Sequence, residues 1–259
     1  MKLNLLHIYY IALYTAKEIL RSKILLVSVC LGFGIIFISY IASELTYGTP
    51  QKIALDFGVG FFSLSANGIA IFMGANLLLK EIESRTIYLS LSRPVKRFSF
   101  LLGKLLGMGA VLGLNILILS LTAYVTYFFL GGAFEILMLW VALFAFFEAF
   151  LLLNIVVLFS LVTNISLSVF YTLVIYGVGH SISSTLELSF VQRSFILEFV
   201  VRLYSFVFPN LNQLNYRDYL IYDVPISSSA LFFSLLYGMI YSVFLLLVSS
   251  KVFVHKELS

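Results

Sequence analysis

Long runs of apolar residues, separated by short polar stretches, dominate the chain. A helix needs about 20 mainly apolar residues to cross the hydrocarbon of a bilayer. Runs of that length predict six spans, over 24–43, 57–79, 105–130, 136–161, 165–186 and 226–250. The first and last carry no charge, the fourth is interrupted only by Glu148, and the fifth contains His180. The runs do not alternate apolar and polar residues and are far too long for strands, which argues against a sheet. The expectation is an all-α integral membrane protein forming a single transmembrane domain.

Two further apolar stretches do not read as spans. In 3–20, the polar residues Asn4, His7, Thr15 and Glu18, with Arg21 just beyond, fall roughly on one helical face, and Tyr9, Tyr10 and Tyr14 suit a headgroup boundary. This predicts an interfacial helix within residues 1–23. The stretch 195–208 is only three or four turns long, carries Glu198 and Arg202 at i,i+4 spacing, and is followed by Pro209. It is too short to span comfortably, so the segment 187–225 is expected to hold a re-entrant or surface helix.

Composition agrees with this pattern. The 259 residues are 61% hydrophobic and 11% charged, with mean hydropathy +1.07. A soluble domain carries far more charge, so the excess apolar surface must face lipid. The net charge of +4 does not point to nucleic acid, because the basic residues cluster beside apolar spans. Cys30, the only cysteine, permits no intrachain disulfide and no cysteine cluster for a metal. Basic residues recur at Lys17, Arg21 and Lys23 with no small-residue cleavage site after the first apolar stretch, so no cleaved signal peptide is expected.

The charges also orient the six spans. The amino terminus, the loops after spans two and four, and the carboxyl terminus together hold twelve of the sixteen basic residues. Lys52, Arg193, Arg202 and Arg217 fall on the other side. The positive-inside rule then predicts cytoplasmic termini for a multi-pass protein of the cytoplasmic (inner) membrane.

One connection on the basic side stands out. Residues 80–104 read KEIESRTIYLSLSRPVKRFSFLLGK. Glu81 and Glu83 suit a helix start, basic residues follow at Arg93, Lys96 and Arg97, and Pro94 disfavours helix at Arg93. Ile82, Ile87, Tyr88, Leu89 and Leu91 give a short amphipathic segment. The expectation is a helix of two or three turns held between spans two and three, able to pass force to a soluble partner. A basic loop that only fixes orientation accounts for the same residues.

The acidic residues, Arg85-Thr86, Ser92-Arg93-Pro94-Val95 and Phe100-Leu101-Leu102-Gly103-Lys104 together resemble the first cytoplasmic loop of type-two ABC exporter permeases. That class includes permeases similar to the one serving nitrous-oxide reductase maturation, and others that move drugs, lipids or polysaccharides. Its members typically show Gly-Thr where this chain has Arg85-Thr86. The layout of interfacial helix, six spans and re-entrant segment is also similar. The resemblance implies that 80–104 is a coupling loop docking on a separate ATP-binding subunit, with Glu81, Glu83, Arg85, Thr86 and Leu89 touching it. It further implies a second permease subunit, identical or related, and ATP and Mg²⁺ held by the partner. No G-x-x-x-x-G-K-[ST] occurs in this chain, so no P-loop is expected here and no cofactor is assigned to it.

Inside the spans, Glu148, Asn154 and Asn115 are candidates for a translocation path. An ionisable group at mid-membrane is expensive and should face protein or water. For Asn115, Asn154, Asn67 and Asn76, interhelical hydrogen bonding is the stronger reading; for Glu148 both readings stand. His180 reads as a satisfied packing residue. Gly103, Gly107, Gly109 and Gly113 form two small-x-x-x-small pairs, which permit close helix approach. A secondary transporter would show repeats and several intramembrane charges, and an intramembrane enzyme would need a constellation that His7, His180, His255 and Cys30 do not supply. A secondary transporter or a non-transporting membrane scaffold stays as the alternative beside the exporter permease.

Overall fold

A computed structural model describes residues 2–45, 48–83 and 96–255, most of them helical and none in a strand. The helices are α1 (Lys2–Arg21), α2 (Ile24–Glu44), α3 (Pro50–Glu83), α4 (Arg97–Phe129), α5 (Ile136–Ser160), α6 (Ile165–Glu187), α7 (Ser189–Arg193) and α8 (Phe195–Val207). A 3-10 turn (Leu211–Leu214), α9 (Arg217–Ile221) and α10 (Ser228–His255) follow. Among the described residues, α2 to α6 and α10 are long and apolar enough to cross a membrane. The chain is an all-α, multi-pass membrane protein.

Leaving the apolar run does not end a helix. Pro50 occupies the first position of α3, where its missing N–H costs nothing and its fixed φ favours the turn. The helix then continues through residues 80–83, which contain no Gly or Pro to break it. Its 34 residues extend about 50 Å, against about 30 Å of hydrocarbon. Glu81 and Glu83 therefore lie in the last turn of α3 and do not open a new helix. On the other side, α4 starts at Arg97, so residues 97–104 are helical, the first two turns of α4, and not loop. Arg85, Thr86 and Leu89 lie outside the described residues.

The centre of the bundle is α3, α4 and α5, whereas α2, α6 and α10 leave most of their apolar surface unburied. Phe62, Phe144, Leu105, Met108 and Leu112 are fully enclosed there. The four glycines of α4 work as two pairs on two faces. A Cβ at Gly107 would lie 2.5 Å from the Ala12 carbonyl oxygen, and one at Gly103 would lie 2.8 Å from Ile11 Cβ, so this pair seats α1. Gly109 and Gly113 face the rings of Phe150 and Phe146 on α5.

The start of α4 also holds the end of α10. Arg97 Nη1 donates to the carbonyls of Phe253 (3.0 Å) and Val254 (2.9 Å), in the last turn of α10. Lys104, itself buried, reaches Glu18 of α1 at 3.8 Å. Thus α1 and α10 are both tied to the same two turns of α4. Between α5 and α6 the chain turns within four residues, with Asn164 Oδ1 accepting from the Leu167 N–H as N-cap.

Candidate functional site

A cavity of about 330 Å³ opens between α3, α5 and α6, on the side away from the start of α4. Its floor is polar. Glu148, on α5, is 3% exposed, and its Oε1 accepts from Asn67 Nδ2 of α3 at 2.7 Å. The same oxygen lies 3.0 Å from Nε2 of His180 on α6. Three spans are therefore joined at one carboxylate oxygen. Burying an ionisable group in an apolar core is costly unless hydrogen bonds and opposite charge compensate it. Here one amide and one imidazole provide that compensation. The Tyr176 ring stands edge-on to the imidazole, with centroids 4.8 Å apart, and lines the same cavity.

The segment between α6 and α10 covers the cavity. Leu214, Asn215, Tyr216 and Arg217 line it from the 3-10 turn and the start of α9. This cover is fastened to three spans. The Asn210 N–H donates to Tyr237 Oη of α10 at 2.8 Å, and Asn210 exchanges hydrogen bonds with Ser183 of α6. Tyr216 Oη bonds to Ser234 Oγ of α10 at 2.7 Å. Arg217 donates from Nε and Nη2 to Asp56 Oδ1 of α3, the former at 2.8 Å.

Two glycines let the cover come this close. A Cβ at Gly60 would lie 2.7 Å from Arg217 Nη1, so the guanidinium rests on bare backbone. At Gly179, next to His180, a Cβ would meet the Pro209 carbonyl oxygen at 2.7 Å. One helical turn before Asp56, Lys52 Nζ pairs with Asp223 Oδ2 at 2.5 Å. Asp223 has φ 52°, a left-handed conformation that Asp tolerates better than most residues. Lys52 and Asp56 thus form a two-point ionic clamp at the start of α3.

The path candidates separate here. Glu148 lines the cavity; Asn115 and Asn154 do not. Asn115 accepts from Ser28 Oγ and donates to the Val111 carbonyl, which joins α2 to α4 in a fully buried contact. Asn154 donates to the Phe150 carbonyl within its own helix. Asn67 and His180, read from sequence as packing residues, are the partners of Glu148. Among the described residues, no group of three or more His, Cys, Asp or Glu is placed to hold a metal ion.

Of the coupling residues, Glu81 and Glu83 end α3, while the remainder of the connection to α4 is not described. Comparison with known proteins gives one family: the model described as ABC-2 family transporter protein matches residues 9–178, well over half of the chain. The match covers most of α1 through most of α6, whereas His180 and the cavity's cover lie beyond it. No curated protein matches the chain.

Proposed function

The chain belongs to the ABC-2 family of transporter proteins, and on that premise we propose that it is the membrane subunit of an ATP-driven exporter. As an ABC permease it works with an ATP-binding subunit. The proposal adds direction, coupling and path. Residues 80–104 face the cytoplasm, as do both termini, in the inner membrane, because that side carries most of the basic residues. Residues around Glu81, Glu83, Arg85, Thr86 and Leu89 dock on the ATPase, which holds ATP and Mg²⁺. A second permease subunit completes the transporter.

The observation that carries this reading is the family match across the first five spans. Helix continuity supports the coupling role: α3 and α4 run unbroken into the connection from both sides. A push at 84–95 would reach α1 and α10 as well, through Gly103, Gly107 and Arg97. Glu148 and its cavity serve as part of the substrate path, covered on the outer side by the segment before α10. In the same scheme α1 lies along the inner surface, with Tyr9, Tyr10 and Tyr14 exposed. Helix α8 sits at the outer surface, with Phe195, Ile196, Phe199 and Leu203 toward lipid.

Copurification tests the proposal. An exporter permease brings down a P-loop ATPase whose hydrolysis it stimulates, and deleting residues 84–95 abolishes that capture. A chain that inserts correctly and captures no ATPase is a scaffold.

A further inference from the structure

We infer that the cavity binds a small solute carrying an ammonium group, with Glu148 as its counter-charge. This rests on the cavity being part of the substrate path, and it names the class of substrate.

The charge inventory is short. Besides tyrosines, the ionisable residues lining the cavity are Glu148, His180 and Arg217. Arg217 is already held by Asp56 through two nitrogens. Apart from the Arg217 guanidinium, which Asp56 holds, no permanent cation lines the cavity to match the Glu148 carboxylate. An imidazolium would supply that charge from the protein, and a bound cation supplies it from outside. Asn67 and His180 both engage Oε1, so the second carboxylate oxygen is the one a ligand would meet. An anion is disfavoured here, since Glu148 repels it and Asp56 offsets the charge of the guanidinium.

Two further features narrow the class. Tyr176, Phe62 and Tyr216 are among the lining residues, and aromatic side chains attract cations more strongly when water is excluded. The volume, about 330 Å³, lies at the small end of ligand sites. It accommodates a compact amine and excludes a polysaccharide or an intact two-chain lipid.

Trp140, the sole tryptophan, offers a readout. Its ring stacks on Phe144 (6.0 Å between centroids), and Phe144 stacks on Tyr216 (4.6 Å), which lines the cavity. The experiment titrates the purified full chain, in lipid nanodiscs without ATPase, with choline and with dimethylbutanol, its uncharged carbon isostere. Binding is followed by calorimetry and Trp140 fluorescence. Choline should saturate a site, with the isostere and Glu148→Gln each weaker by about tenfold or more. Equal affinity for the two compounds overturns the inference, as does no saturable binding or undiminished choline binding by Glu148→Gln. The comparison of compounds on the native chain needs no variant to fold. Since no ATPase is present, failure here leaves the exporter reading standing, and failed ATPase capture leaves this result standing.

Discussion

His180 Nε2 lies 3.0 Å from Glu148 Oε1, joining α6 to α5 at the one carboxylate buried within the fourth span. Asn67 brings α3 to the same oxygen. Whatever changes the charge or position of Glu148 is therefore felt by three spans, and the cavity between them is the place where packing and transport meet.

The pair should be visible as non-additivity. Glu148→Gln and His180→Gln each weaken the junction, and the double variant should lose less than the sum of the two. The expected coupling is about 1 kcal/mol, the range seen for polar contacts between membrane helices. Chemical unfolding in detergent, run on all four species of the cycle, measures it. Strict additivity would show that the two side chains are neighbours without interacting.

Transport should respond more than folding. Glu148→Gln preserves shape and can still accept from Asn67, so membrane insertion and yield should stay near the parent level. Substrate-stimulated ATP hydrolysis in the assembled transporter should fall about tenfold, as expected for a lost charge contact. If yield and activity drop in parallel, Glu148 serves packing alone.

The ionic clamp on the cover predicts an effect on access to the cavity rather than on stability. Lys52, Asp56, Arg217 and Asp223 are all at least one-third exposed, so each pair contributes no more than about 1 kcal/mol to stability. Arg217→Gln should barely shift the unfolding midpoint. It should, however, speed thiol labelling of a Ser63→Cys probe in the cavity, made in a Cys30→Ser background, by several-fold. An unchanged labelling rate would mean that the cover does not depend on this clamp.

The glycine pairs of α4 give an internal control. Gly107→Ala would drive a Cβ to 2.5 Å from backbone at Ala12, which cannot yield without moving α1. Gly113→Ala meets only the Phe146 ring, at 3.5 Å, an ordinary contact. The first should cost about 1–3 kcal/mol and the second close to nothing, read from thermal unfolding of the two variants side by side.

How much of this was legible follows from which force wrote it. The lipid imposes length and hydropathy, so the six spans could be read from their apolar runs alone. The glycine spacing in α4 announced close packing, but not that Gly103 and Gly107 face α1 while Gly109 and Gly113 face α5. The helix ends were less legible, because a helix stops at a breaker and not at a change of solvent; residues 80–83 contain neither Gly nor Pro, and the one glycine of 97–104, Gly103, is used for packing against α1. Glu148 was conspicuous as a charge in an apolar run. Its link to His180 was not, since it depends on the relative register and rotation of α5 and α6. A clue was present all the same: two ionisable groups in adjacent spans each need a partner, and each is the nearest available to the other. Asp56 and Arg217, 161 positions apart, carried no such signal.

Coupling is the prediction on which the exporter reading depends most. Glu81 and Glu83 occupy the last turn of α3, one of the two helices that enter the connection to α4. Two carboxylates at the edge of the connection complement a basic surface on the ATPase. Glu81→Lys with Glu83→Lys introduces no Gly or Pro and should leave insertion and α3 intact. The same change should weaken ATPase capture about tenfold or more, through like-charge contact at the interface. Pull-down of the ATPase, alongside protease protection of the inserted permease, measures both at once. Capture at the parent level with insertion preserved would move the docking surface elsewhere and remove the acidic turn from the coupling element.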